Sequence, residues 1–298
     1  MKRFSYRVHQ QQFRAACDWI VALGVNLNLT RVEEYSRLLE KIPDYYEADR
    51  IAELLDDQGG APLFNAMFEA SEFMHIHEGL GGQPDPELLR RLREFVAGAA
   101  MLTDETASKN QNRPRNIGFE LSIAAAAAKS ELPISLESPA DLWIREKSAP
   151  RVAVECKRPF TARKVEANVS DGLHQLADRY DASPDPVSVR GILAVSITRT
   201  ENDGSKVLAG DNEGEVRGQI NSVFEQFIAR HERHWLTTVD GRTLAVLLEL
   251  SAPAFVKTPS IFAVARQYAW LPLCAPSSPG RAQFDAIASA FQRLDTPS

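Results

Sequence analysis

The sequence predicts an α/β fold, a mixed central sheet flanked by helices and preceded by a helical N-terminal region, and three observations carry that expectation. Residues 141–157 hold two short stretches in which apolar and polar side chains alternate with the period of a strand. Around them the order helix, three strands, helix, strand is that of a mixed sheet with helices on both faces. Before residue 108 the apolar residues recur every three or four positions instead, which is helical spacing.

Taking the elements in order, Phe13, Ala16, Cys17, Ile20 and Leu23 share one helical face. Leu38, Leu39 and Ile42 share another, after a Thr30 cap with Glu33 three residues on. Further helical patterns cover 63–74 and 87–97. The stretch 33–57 is acid-rich, which suits protein contacts or solvent better than phosphates. The polar run 108–115 breaks the pattern and reads as a junction, dividing a helical region, residues 1–107, from an α/β domain, residues 108–298. After it we expect a helix at 116–129, strands at 134–137, 141–145 and 151–157, and a helix at 163–180. A strand at 191–197, a loop at 201–212, a helix at 213–231, strands at 243–248 and 260–265 and a helix at 281–294 complete the reading. The alanines from 124 to 128 read simply as good helix formers.

With 298 residues, 44% of them hydrophobic, the chain can bury a sizeable core. A formal net charge of -6 opposes coating nucleic acid by bulk positive charge. Between residues 141 and 170, however, seven basic residues (Arg145, Lys147, Arg151, Lys157, Arg158, Arg163, Lys164) stand against four acidic ones (Asp141, Glu146, Glu155, Glu166). Three scattered cysteines without Cys-x-x-Cys spacing suggest neither a disulfide framework nor a zinc ribbon, and fit a reducing cytoplasm. No apolar leader or membrane-length stretch is found, so neither secretion nor membrane insertion is expected.

The chemistry concentrates in the two alternating stretches. In a strand, Glu155 and Lys157 project from one face while Val152, Val154 and Cys156 project from the other. Asp141, Trp143 and Arg145 likewise share a face opposite Leu142 and Ile144. Two neighbouring strands can therefore aim Asp141 and Glu155 at one point. A hard cation takes oxygen ligands, and two carboxylates leave room in its shell for water and a phosphate oxygen. A lysine beside them can hydrogen-bond the attacking water or act on its proton. On the helix before these strands, Asn116 and Glu120 lie four apart beside the stripe of Ile117, Leu121, Ala124 and Ala128. On the helix after them, Asn168, Asp171, Gln175 and Arg179 line a polar face.

Asp141 on one strand, Glu155-Cys156-Lys157 on the next and the strand-strand-helix order resemble the PD-(D/E)xK nuclease superfamily, the restriction-endonuclease-like fold, over residues 111–200. The resemblance implies a metal-dependent nuclease in which Asp141 and Glu155 bind Mg2+ or Mn2+ and Lys157 positions or activates water. It also implies a third acid, Glu120, at the metal or its water, and a counterpart, Gln175, of the glutamine of the exonuclease-like branch. Two departures are visible. Pro139 is separated from the acid by Ala140, where the family usually has proline directly before it. Position 179 is Arg, and Tyr180 comes one residue later than that branch's tyrosine. Arg158, Arg163 and Lys164 are expected phosphate contacts. DNA rather than RNA is the expected substrate, in a restriction, repair or phage-defence setting. Two rival readings stand beside this one. One is an inactive nucleic-acid-binding module that keeps the fold. The other is an interaction protein whose helical region docks a protein partner or a second copy. His231 and His234, three apart, are discounted as a metal pair because Arg230 and Arg233 flank them. Cys156 points to the core side of its strand and is read as packing.

Overall fold

The structure is a computed structural model that describes residues 6–295 apart from 51, 52, 55, 57–59, 84, 146–148, 184, 186, 187, 203, 205, 239, 259 and 260. Glu146 and Lys147 of the charge count, and Ser260 at the start of an expected strand, lie outside the described residues.

The N-terminal region is helical as its periodicity predicts: α1 (Tyr6–Ala22), α2 (Arg31–Leu39), α3 (Ile42–Glu47), α4 (Gly60–Leu80) and α5 (Pro86–Phe95). Thr30 caps α2 by accepting from the Val32 N–H, while Glu33 reaches back to the Leu29 N–H, one residue beyond the usual capping-box partner. Next comes α6 (Lys109–Lys129), which begins seven residues earlier than its pattern suggests. The polar run expected as a junction is therefore its first two turns. Long-range partners outweigh the local signal there: Arg113 pairs with Glu94, Arg115 with the buried Glu69, and Pro114 packs on Gly98.

The sheet follows, with β1 (Ile134–Ser135), β2 (Leu142–Ile144), β3 (Arg151–Lys157), β4 (Val189–Ser196), β5 (Leu208–Gly210), β6 (Thr243–Val256) and β7 (Ile261–Pro272). Along it the order is β1-β2-β3-β4-β6-β5, with β7 on the other edge of β6. Pairs β1/β2, β2/β3 and β6/β7 are antiparallel, and β3/β4, β4/β6 and β5/β6 parallel, so the sheet is mixed as expected. The remaining helices are α7 (Val165–Asp181), the short α8 (Thr198–Glu201), α9 (Glu213–Thr238) and α10 (Pro279–Gln292). The segment 201–212, expected as a loop, contains β5.

Strand β6 runs well past its expected end at residue 248, through Pro253. The Ser251 N–H donates sideways to Thr198 Oγ1, and N–H groups two apart point to the same edge, so the missing N–H of Pro253 faces that side too. There the ladder to β4 has ended at Glu249 and the ladder to β5 begins only at Ala254, so no bond is lost.

Two apolar layers cover the sheet. On one side a continuous core runs from Phe13, Tyr35, Phe73 and Phe95 through α6 to Leu142, Val154, Ile192 and Leu247, so the helices before residue 107 share their core with the sheet. At its centre the alanines Ala124, Ala125, Ala126 and Ala127 are wholly buried. Helix α4 crosses them so closely that a methyl group on Gly79 would fall 2.5 Å from the Ala125 carbonyl oxygen. On the other side α7 and α9 pack Val165, Leu176, Tyr180, Phe224 and Trp235 against Leu193, Val195 and Val246. Among the described residues no helix is long and apolar enough to cross a membrane.

Candidate metal centre

The antiparallel register Leu142↔Val154 and Ile144↔Val152, continued by one residue, sets Asp141 opposite Glu155. Asp141 is locked there because its Oδ2 accepts the Cys156 N–H at 2.8 Å. Strand alternation then places Lys157 on the same face as Glu155, beneath α7. Gly172 of α7 leaves the room for this: a Cβ at that position would meet the Leu193 side chain and come within 3.2 Å of Lys157 Cγ and Cε. Lys157 lies along the helix and donates from Nζ to Gln175 Oε1.

These groups line a cleft of about 370 Å³ floored by β3 and walled by α6 and α7. Of the site residues expected from the sequence, Asp141, Glu155, Lys157, Glu120, Gln175 and Arg158 all border it. Arg163 and Lys164 do not; they sit exposed in the 3-10 turn Ala162–Lys164 that leads into α7. The expected role of Arg158 as a phosphate contact needs correction. Its guanidinium is buried and bound to both carboxylate oxygens of Glu105, at 2.6 and 2.7 Å. Two more of the local basic residues are engaged within the protein, Arg145 by Glu137 and Arg151 over the Trp143 ring.

Glu120, Asp141 and Glu155 each give one oxygen to the protein. Arg91 Nη1 donates to Glu120 Oε2 at 3.0 Å, Cys156 to Asp141 Oδ2, and Arg179 Nε to Glu155 Oε1 at 3.0 Å. The second oxygens have no hydrogen-bond partner among the described residues. Burial first, and the Asp141 carboxylate second, push Glu155 up to about 7 against the pull of Arg179 and Lys157. The same two causes push Glu120 up to about 8, opposed by Arg91 and Lys157. Cys156 is buried with its thiol raised well above the ordinary range, mainly by desolvation, so it packs rather than reacts.

Several residues that shape the cleft were not singled out by the sequence as site residues. Asn168, Asp171 and Arg179 come from the polar face of α7. The most consequential is Arg91 of α5, which also donates to the carbonyl oxygens of Asp141 at 2.7 Å and Leu136 at 3.2 Å. A signal was present: Arg91 falls on the buried stripe of Leu88, Leu92 and Phe95, where a charge needs a partner.

The donor set suits a hard divalent cation. Three carboxyls converge with mutual repulsion and with one oxygen each unpaired, and Asn116 Oδ1, a turn from Glu120, is buried without a hydrogen-bond partner. Among the described residues no three His, Cys, Asp or Glu side chains stand as a preformed ligand cluster. A cation here would therefore take Asp141 and Glu155 as ligands, with Glu120 or Asn116 closing in directly or through water. His231 and His234 turn instead towards Glu166, which also accepts from Trp235 Nε1. The chain matches no protein-family model, and neither a curated protein nor a solved structure is significantly similar to it.

Proposed function

We propose that the protein is a Mg2+- or Mn2+-dependent nuclease that hydrolyses phosphodiester bonds, in DNA rather than RNA, on a restriction-endonuclease-like core. The observation that carries this reading is Asp141 set opposite Glu155 with Lys157 on the same face, in a polar cleft where Asp141, Glu155 and Glu120 each keep one carboxylate oxygen unpaired among the described residues. The motif and strand order that resemble the PD-(D/E)xK superfamily support it from the sequence.

In the reaction a water oxygen attacks phosphorus, the opposite phosphorus–oxygen ester bond breaks, and the leaving oxygen takes up a proton. Bound at Asp141 and Glu155, the divalent cation would acidify water and offset charge on the phosphate. Lys157, held by Gln175, points its ammonium along the cleft floor, where it hydrogen-bonds the attacking water or a phosphate oxygen. Arg179 fixes the rotamer of Glu155 and Arg91 fixes that of Glu120, so the carboxylates are preorganised.

The test is a cleavage assay with circular and linear duplex DNA, single-stranded DNA and RNA, with Mg2+ or Mn2+, beside Asp141→Ala and Lys157→Ala. Cutting that requires the metal and disappears in both variants, with folding intact by circular dichroism, is expected. Cutting that survives both substitutions, or no cutting of any substrate, overturns the proposal and leaves the binding-module or interaction readings.

A further inference from the structure

Beside the cleft lies a second cavity of about 300 Å³, and its walls join the two halves of the chain. Helix α5 contributes Glu87, Arg90 and Arg91, α6 contributes Arg113, Asn116, Ile117 and Glu120, and the segment 138–141 closes it. Asn116, Glu120 and Asp141 border both cavities, so the two form one path across the surface. A strand with one phosphate at Asp141 and Glu155 can leave the cleft along this path.

Its charges are arranged to accept an anion once a cation is in place. Three arginines, Arg90, Arg91 and Arg113, line it together with three acids, Glu87, Glu120 and Asp141. A divalent cation held by Asp141 and Glu155, with Glu120 beside it, offsets the acids at this end of the cavity and leaves the arginines in excess. Arg91 is a fixed charge, buried and bound to Glu120 and to two carbonyl oxygens. Arg90 spends its N–H groups on Glu87 and Glu94. Arg113 differs: only its Nε is engaged, by Glu94, and among the described residues neither terminal nitrogen has a partner. Both terminal N–H2 groups are free to fork onto a phosphate.

We propose that this second cavity is a phosphate subsite for the nucleic-acid strand, in which Arg113, backed by Arg90, holds a backbone phosphate flanking the one that is hydrolysed. The inference rests on the nuclease reading of the adjoining cleft. It makes α5, in the otherwise acid-rich N-terminal region, part of the substrate-binding surface.

The test is fluorescence anisotropy with a labelled short DNA duplex and its single strand, with Mg2+, across a range of KCl. The full chain carries Lys157→Ala so that the probe is not cut, with and without Arg113→Gln. Arg113→Gln is expected to weaken binding on the order of tenfold, as for one lost charge-assisted contact. It should also flatten the slope of log affinity against log salt by about one. Arg113→Lys should keep the slope, and Mg2+ should tighten binding more for the parent than for Arg113→Gln. In the active protein Arg113→Gln raises KM and leaves kcat unchanged. Equal affinity and slope in parent and Arg113→Gln would overturn the subsite alone. A parent that binds neither probe with Mg2+ overturns the subsite and the nuclease reading together. Arg113-dependent binding by a wild-type protein that never cuts supports the subsite and sinks only the hydrolytic reading.

Discussion

Raising the pH of the metal-free protein costs it stability, because the cleft holds protons that the unfolded chain releases. Glu155 is pushed up to about 7, whereas its ordinary value, and hence its value in the unfolded chain, is 4.5. The folded carboxyl therefore binds its proton more tightly. The stability this contributes is fully present below the unfolded value and is lost as pH climbs through the folded one. Over the window in which only the folded chain keeps the proton, the loss is about 1.4 kcal/mol per pH unit. Between about pH 5 and pH 7, where each end of the window is only partly titrated, that amounts to roughly 2 kcal/mol, or a Tm lower by roughly 4–6 °C in a chain of this size. Glu120, pushed up to about 8, extends the same trend to higher pH. The assay is thermal unfolding of wild type and Glu155→Gln across this range in EDTA, so that titrations of groups remote from the cleft cancel in the difference. The Tm of wild type relative to Glu155→Gln should fall as pH rises. Adding MgCl2 at the alkaline end should restore wild type and not Glu155→Gln, because the cation takes the place of the proton. A difference that is flat with pH, together with no effect of Mg2+, would refute both the crowding of the acids and their role as ligands.

Three further outcomes follow from the geometry. Gly172→Ala places a methyl group against Leu193 and 3.2 Å from Lys157, and should cost about 1–3 kcal/mol in urea unfolding while displacing the lysine and lowering kcat. Glu105→Ala leaves the buried Arg158 without its partner, so it should destabilise by about 3–5 kcal/mol; Glu105→Ala combined with Arg158→Met should recover most of that loss. Gln175→Leu frees the Lys157 ammonium and should lower kcat by roughly 10–100-fold while Mg2+ affinity by calorimetry stays unchanged.

What could be read from the sequence was what depends on neighbours a few residues away. The alternation of Val152, Val154 and Cys156 with Ala153, Glu155 and Lys157 set both the strand and the face that its polar groups share. The spacing from Glu155 back to Asp141 matched a hairpin register, and the structure has that register. What could not be read depends on distant partners. Arg91 finds Glu120 and the Asp141 carbonyl 29 and 50 residues away, and Arg158 finds Glu105 53 residues away. Local patterning could not tell that Arg158 is buried while its neighbour Lys157 faces the cleft. The start of α6 and the length of β6 were missed for a related reason. The polar run before Asn116 and the Ser-Ala-Pro of 251–253 are breakers in isolation, and only Glu94, Glu69 and the gap between β4 and β5 make them tolerable.

The alanine stretch of α6 has a consequence for motion. With Gly79 pressed on Ala125 and the alanines of 124–127 wholly buried, α4 and α6 cannot slide or part without breaking the central core. Amide hydrogens of residues 124–127 should then exchange with solvent only when the whole molecule unfolds, so their exchange rate measures global stability. Glu120, one turn away on the same helix, rides on an immovable spindle. Any opening that admits a strand must therefore come from the opposite wall, where α7 carries Gln175 and Arg179 over the cleft.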